Sequence, residues 1–241
     1  MLSRLPQLDG RLNLVKSMVR SGVCVADIGT DHAYLPLHLV VDGQAEKVYA
    51  CDINEGPLAS AKDTVARFKM QPYIETVLSD GLQNVPVEQV DDIIIAGMGG
   101  ELISSIIERE PRLKDGTKRL ILQPMTMADK LRSYLAGHGF SVIDENAARD
   151  GGHVYTVMCA RYTGETRALD EVEMLVGLLP RRSGAAASEY IHLQAQKLRK
   201  KGQGLSLTLD GRTEGERLLS LADEIDALTG EDEAFLKWRK R

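Results

Sequence analysis

The sequence predicts an α/β protein, a doubly wound parallel sheet followed by an all-helical tail. Three observations predict it. Short apolar runs rich in Val and Ile alternate with amphipathic stretches through the first two thirds of the chain, the pattern of a parallel sheet covered on both faces. Acidic residues and glycines gather where those runs end, at Asp27-Ile28-Gly29, Asp52, Asp80-Gly81 and Gly97-Met98-Gly99-Gly100. Beyond Tyr162 the strand signals stop and apolar residues fall at helical spacing among dense charges. Residues 1–162 and 163–241 are therefore expected to form two domains.

The expected elements follow in order. Leu12, Val15, Met18 and Val19 recur at helical spacing, which predicts a helix from Leu8 to Arg20. Val23 to Asp27 is a buried strand, Gly29 a tight turn and Leu35 to Val41 an apolar helix, with Asp31 placed to cap it and Pro36 in its first turn. Lys47 to Asp52 is a second strand, and Gly56-Pro57 opens a helix with Leu58, Ala61, Val65 and Phe68 on one face. Tyr73 to Leu78 and Asp92 to Ala96 are further strands, followed by a helix from Glu101 to Glu110, a strand from Arg119 to Gln123 and a helix from Met127 to Gly137. Phe140 to Asn146 and His153 to Ala160 close the sheet as an antiparallel hairpin. Helical spacing marks the tail from Val172 to Leu179, Tyr190 to Leu198 and Leu218 to Leu228. The glycine-rich stretch from Gly202 to Gly211 is expected as the flexible tip of a helical hairpin.

Composition narrows the class. The chain has 241 residues, 43% of them hydrophobic and 27% charged, enough for a full core. No apolar run has the length of a signal peptide or a membrane span, so a cytoplasmic protein without membrane contact is expected. Cys24, Cys51 and Cys159 lie in strand-like runs with no CxxC spacing and are expected as buried thiols, neither disulfides nor metal ligands. A net charge of −5 argues against a strongly basic polyanion binder but leaves room for a local basic face.

The turn after the first strand separates two cofactor chemistries. A dinucleotide fold uses GxGxxG so that a pyrophosphate can approach the helix N-terminus, whereas this turn keeps only Gly29 of the three glycines, with Asp31 and Tyr34 in the other places. An acidic turn repels a pyrophosphate and suits a cofactor carrying an ammonium and a sulfonium, which is S-adenosylmethionine. Asp27, Gly29, Thr30 and His32 are then expected around the cofactor. Asp52, with Ile53 and Asn54 after it, falls where a carboxylate accepts both ribose hydroxyls. Asp80 is placed to meet the adenine amino group, with the backbone at Gly81 reading the ring. A single strand-end Asp is as readily a turn former; three on successive strands carry more weight. The glycines from Gly97 to Gly100 serve either a turn needing positive φ or the close approach of a ligand, and the second is favoured.

The stretches Ala26-Asp27-Ile28-Gly29-Thr30-Asp31-His32-Ala33-Tyr34-Leu35-Pro36, Ile95-Ala96-Gly97-Met98-Gly99-Gly100 and Leu120-Ile121-Leu122-Gln123-Pro124 together resemble the bacterial TrmK family, tRNA methyltransferases that act on N1 of adenine 22. The resemblance runs from the leader Leu2-Ser3-Arg4-Leu5 to the tail. It implies a Rossmann-like class I methyltransferase domain using S-adenosylmethionine, a coiled-coil-like helical C-terminal domain, and tRNA as partner with no metal, a monomer being the expected form.

Under that resemblance N1 attacks with its own lone pair, and a carboxylate near the exocyclic amine stabilises the cation that forms. Asp31 is the candidate for that catalytic role, with a helix cap or a contact to the methionine ammonium as its alternatives. His32 and Tyr34 either meet a base or simply pack. A base turned out of its stack needs a pocket, expected over Gly97, Met98, Gly99, Gly100, Gln123, Pro124 and Met125. Phosphate contacts are expected from Arg4 and Arg11, from Lys118, Arg119, Lys130 and Arg132, and from Lys197, Arg199, Lys200 and Lys201. The closing run from Lys237 to Arg241 is a further basic candidate. The rival functions are a methyltransferase for a small molecule or another RNA site, and an interaction protein that kept the fold without the chemistry.

Overall fold

A computed structural model describes residues 4–207 and 210–229, so Leu2, Ser3 and the closing basic run lie outside the described residues. The elements are α1 (Gly10–Met18), β1 (Val23–Ile28), α2 (Tyr34–Val41), β2 (Ala45–Asp52), α3 (Glu55–Arg67), β3 (Ile74–Leu78), β4 (Asp92–Gly99), α4 (Gly100–Glu108), β5 (Arg119–Thr126), α5 (Ala128–Gly137), β6 (Phe140–Asp150) and β7 (His153–Tyr162). The tail supplies α6 (Glu171–Val176), α7 (Ala185–Ser206) and α8 (Arg212–Ala227).

The strands form one seven-stranded sheet in the order β3-β2-β1-β4-β5-β7-β6. β1 to β5 are parallel, while β7 runs antiparallel to both β5 and β6. Successive strand residues feed opposite faces, as the two-residue period requires. Val25, Ile94 and Ile121 pack with α1, α2 and α3 on one side, and Ala26, Ile93, Ile95, Leu120 and Leu122 with α4 and α5 on the other. The chain winds outward in both directions from β1 and β4. That switch point leaves a crevice between the carboxyl ends of these two strands, where parallel sheets hold ligands.

The tail has its own apolar cluster, built from Val172, Val176, Leu179, Tyr190, Ile191, Leu221 and Ile225, with Ala147 of β6 and Val154 of β7 packed against it. Its anticipated flexible tip is shorter than the glycines suggested. α7 continues as helix through Gly202 and Gly204 to Ser206, because α8 packs so closely that a Cβ on Gly202 would lie 2.9 Å from the carbonyl oxygen of Gly215. Among the described residues no helix is long and apolar enough to cross a membrane, and no group of three or more His, Cys, Asp or Glu is arranged to hold a metal ion.

Candidate active site at the switch point

The turn after β1 is shaped by its backbone. The amides of Gly29 and Thr30 both donate to the Cys51 carbonyl at 2.8 Å, folding the turn over the end of β2. Gly29 has φ +82°, where a side chain is strained. A Cβ there would also lie 2.4 Å from Cε of Met98, which reaches across from β4. Asp31 does not cap α2. The cap position belongs to Ala33, in the left-handed region at φ +54° with no side-chain hydrogen bond. Asp31 instead stands 73% exposed on the turn, 3.4 Å from Nε2 of His32. The His32 ring stacks on Tyr34 with centroids 5.1 Å apart.

Three carboxylates stand at successive strand ends, each in a different setting. Asp27 is buried, and that burial pushes its carboxyl up to about 6 against opposition from the Thr30 hydrogen bond and the Arg11 charge, with Asp52 adding to the rise. Asp52 is half-buried and accepts the Asn54 amide at 2.8 Å, so its second oxygen has no protein donor among the described residues. Ile53 beside it is 61% exposed. Asp80 is gripped by Arg109, whose Nη1 and Nη2 lie 2.8 and 3.3 Å from its two oxygens. Sequence reasoning missed Arg109, because the pair spans 29 positions and no local motif announces it.

On the other side of the switch point the end of β4 leaves register with β5 around Met98. Gly97 is exposed there at φ +82°, and Gln123 lies beneath it, fully buried. Gln123 Oε1 accepts from Gly97 N at 3.0 Å and from Arg11 Nη1 at 2.8 Å. Gly100 has a packing reason of its own, since a Cβ on it would lie 2.2 Å from the Met127 carbonyl oxygen. Gly99 is half-buried, with Thr126 3.2 Å from its Cβ position. Pro124 is buried and Met125 and Met127 are exposed.

Several expected phosphate contacts prove to be internal. Arg11 turns inward to Gln123 and Asp9. Lys118 is buried, its Nζ donating to the carbonyls of Val87 and Val90 at 2.8 Å, and Arg132 is buried on Glu145. Arg199 pairs with Asp223 and Asp226 of α8. Arg4, Lys130, Lys197, Lys200 and Lys201 are exposed and Arg119 is half-buried. A cavity of about 520 Å³ lies away from this edge, between α5, β6 and the segment 165–181.

Residues 8–158 match a family described as a methyltransferase domain. The tRNA (adenine(22)-N(1))-methyltransferase of Bacillus subtilis is 32% identical over 227 residues, covering 92% of this chain and 95% of that protein. The crystal structure of the Bacillus subtilis enzyme, TrmK, superposes with a TM-score of 0.80 at 30% identity, covering 94% of this chain and all of that one (100%). The chain belongs to the TrmK family. Another structure with the same fold, the Streptococcus pneumoniae protein Sp1610 in complex with S-adenosyl-L-methionine, matches at TM-score 0.77 and 31% identity over 91% of this chain and 100% of that one. The TrmK match extends past the sheet into α7 and α8, so the tail belongs to the family as much as the crevice does.

Proposed function

We propose that this chain transfers the methyl group of S-adenosylmethionine to N1 of adenine 22 in tRNA. The observation that carries it is the extent of the Bacillus subtilis match, 92% of this chain. A small-molecule methyltransferase would share the sheet and have no need of the tail.

The crevice fits the cofactor chemically. Buried Asp27 and half-free Asp52 offer anionic acceptors, exposed Ile53 offers an apolar face, and the Gly29 turn keeps the backbone low between them. When bound, S-adenosylmethionine supplies an electrophilic methyl on a cationic sulfonium. Asp27, with Thr30 and His32 on the same turn, receives the methionine ammonium. Asp52 takes the ribose hydroxyls, and Ile53 and Asn54 border the adenine. Asp80 meets the adenine amino group only by sharing its carboxylate with Arg109, and Gly81 provides backbone beside it.

The target adenine, turned out of its stack, enters over Gly97, Met98 and Gly99 with Tyr34 at the flank. Its N1 uses a ring lone pair and needs no base for the attack. Asp31, exposed and free of any capping duty, sits near the exocyclic amine, stabilises the positive charge that develops and accepts the proton released. Exposed Lys197, Lys200 and Lys201 on α7, together with Arg4, meet phosphates. The chain works as a cytoplasmic monomer, with a catalytic domain over residues 1–162 and an RNA-side helical domain over 163–241.

Methyl transfer to unmodified tRNA transcripts tests this. Label from S-adenosylmethionine is expected as N1-methyladenine, and is expected to vanish when position 22 carries another base. Asp31→Ala is expected to lower turnover at least about tenfold with cofactor affinity within about twofold. Loss of cofactor affinity instead would assign Asp31 to the ammonium.

A further inference from the structure

Resting on the function proposed above, we propose that Met125 and Met127, at the end of β5, fill the space that the target adenine vacates in the tRNA and hold apart the bases on either side of it. The exposed apolar side chains of the protein gather at the crevice. Among the described residues, five of the nine most exposed large ones, Ile53, Leu78, Leu102, Met125 and Met127, stand at the ends of β2, β3 and β5 or in the first turn of α4. Isolated exposed apolar residues are ordinary; a grouping at the rim of a site is not. Ile53 and Leu78 border Asp52 and Asp80 on the cofactor side. The other three follow β4 and β5, beside the glycine loop over which the acceptor enters.

The backbone that carries the two methionines is fixed from below. Thr126 stands opposite Gly99 in the pairing of β4 with β5, and a Cβ on Gly99 would lie 3.2 Å from Thr126 Oγ1. Gly100 lies closer still, since a Cβ there would overlap the Met127 carbonyl oxygen, which also accepts the Leu131 amide at 3.1 Å. The turn is thus locked onto the glycine loop while its side chains stay open, Met125 at 43% and Met127 at 50% exposed. Met125 rises from the wall of the base pocket itself, its Sδ 3.6 Å from Nε2 of the Gln123 that lies under Gly97. Met127 holds φ +56°, a conformation that glycine adopts without strain. Its own packing does not call for a side chain there, because half of it stands in solvent. Met98 turns the other way, its Cε against Gly29. A strained backbone that presents an apolar side chain to water points to a partner that covers it.

The reaction says what that partner is. N1 lies on the pairing edge of adenine, so the base leaves its stack before the methyl can reach it. Turning it out exposes the faces of two neighbouring bases, and an apolar side chain set between them offsets part of the lost stacking. Methionine suits this place, being unbranched enough to enter a narrow gap and polarisable against an aromatic ring. Any flanking base can be met in this way, since every base has a π-face. Exposed Lys130, in the first turn of α5, supplies a cation for the phosphates beside them.

The test uses tRNA with 2-aminopurine in place of adenine 22, a base whose fluorescence rises when it leaves its stack. With S-adenosylhomocysteine present, the unaltered protein is expected to raise that emission several-fold. Met127→Gly, which suits the backbone, is expected to unfold at no lower temperature and to bind S-adenosylmethionine within about twofold of the unaltered protein. It is nevertheless expected to lose most of the emission rise, and about tenfold in kcat/KM on adenine-22 tRNA. Met127→Leu, which keeps an apolar side chain, is expected to restore most of both. Met125→Ala is expected to show the same loss in smaller measure, and carries the test if Met127→Gly does not fold. A full emission rise with Met127→Gly and with Met125→Ala overturns the inference. So does a leucine variant no better than glycine, or a loss of S-adenosylmethionine affinity in step with activity. Methylation of adenine-22 tRNA by an unaltered protein that leaves the emission flat overturns it as well. If the unaltered protein leaves adenine-22 tRNA unmethylated, the proposed function itself fails, and that control separates the two failures.

Discussion

Asp27, proposed above to receive the methionine ammonium, shows what burying a carboxylate costs at a single residue. Its carboxyl is buried at the end of β1 and titrates at about 6, chiefly because burial disfavours the charge. The native state therefore holds its proton to a higher pH than the unfolded chain does. Stability contributed by this residue is full below the ordinary carboxylate range, declines as pH rises towards 6, and stays low above it. Asp27→Asn removes the penalty, and at pH 7.5 the variant is expected to gain on the order of 2–3 kcal/mol in urea unfolding. The gain should shrink towards zero as the pH approaches 4. If Asp27 receives the ammonium as proposed, cofactor affinity is expected to move the other way, falling about tenfold or more. Equal stability at both pH values would show that Asp27 is solvated in the native protein. A sequence reader sees an Asp at a strand end and can place it near a ligand. Its depth, which sets most of its titration, comes from the packing around the strand end, with the charges of Arg11 and Asp52 added from other elements.

At the scale of elements, strands were the most legible part, because Val- and Ile-rich runs ending in Asp or Gly leave few other readings. Boundaries were less so. β4 runs on to Gly99 and β6 to Asp150, through residues whose composition looks like loop. α2 starts within a residue of the expected Leu35, but its cap differs: an Asp before a helix suggests a cap, whereas the Gly29 and Thr30 amides fold onto the Cys51 carbonyl and leave Ala33 in the cap position. The glycines of the tail misled for a related reason, since glycine marks both a flexible turn and a close helix crossing. The two uses separate experimentally. Gly204 lies in α7 with nothing within 4 Å of its Cβ position, so Gly204→Ala is expected to stabilise by about 0.5–1 kcal/mol. Gly215 in α8 would place a Cβ 2.2 Å from Ser206 Oγ and 2.8 Å from the Gly202 carbonyl oxygen, and Gly215→Ala is expected to destabilise by about 1–3 kcal/mol. Opposite signs in thermal unfolding would establish the crossing; two gains would mean that α7 and α8 lie further apart.

Across the whole molecule, the two halves meet on a buried ion pair that looked in the sequence like one more basic surface residue. Arg132 of α5 is 2% exposed at its side chain and Glu145 of β6 is 0%. The guanidinium reaches Glu145 Oε1 through Nη2 at 2.6 Å and donates through Nη1 to the carbonyls of Met174 and Leu175 at 2.7 and 3.2 Å. Glu145 accepts the Thr156 hydroxyl at 2.6 Å and the Leu178 amide at 2.8 Å. One charged pair thus joins a sheet helix, the outer strands and the segment that opens the tail. Replacing one partner leaves a buried charge uncompensated, whereas replacing both does not. Arg132→Met is expected to cost about 3–5 kcal/mol in urea unfolding, and Arg132→Met with Glu145→Leu to recover part of that loss. Because the pair lies on α5 and β6, apart from the ends of β1, β2 and β3 that carry Asp27, Asp52 and Asp80, the single variant is expected to keep its affinity for S-adenosylmethionine. It is expected to bind tRNA more weakly, since α7 no longer holds its place against β6. Proteolysis between 163 and 184 should accelerate in step with the lost tRNA affinity. Unchanged proteolysis with weakened tRNA binding would mean instead that Arg132 affects RNA locally, and the tail would need no anchoring to the sheet.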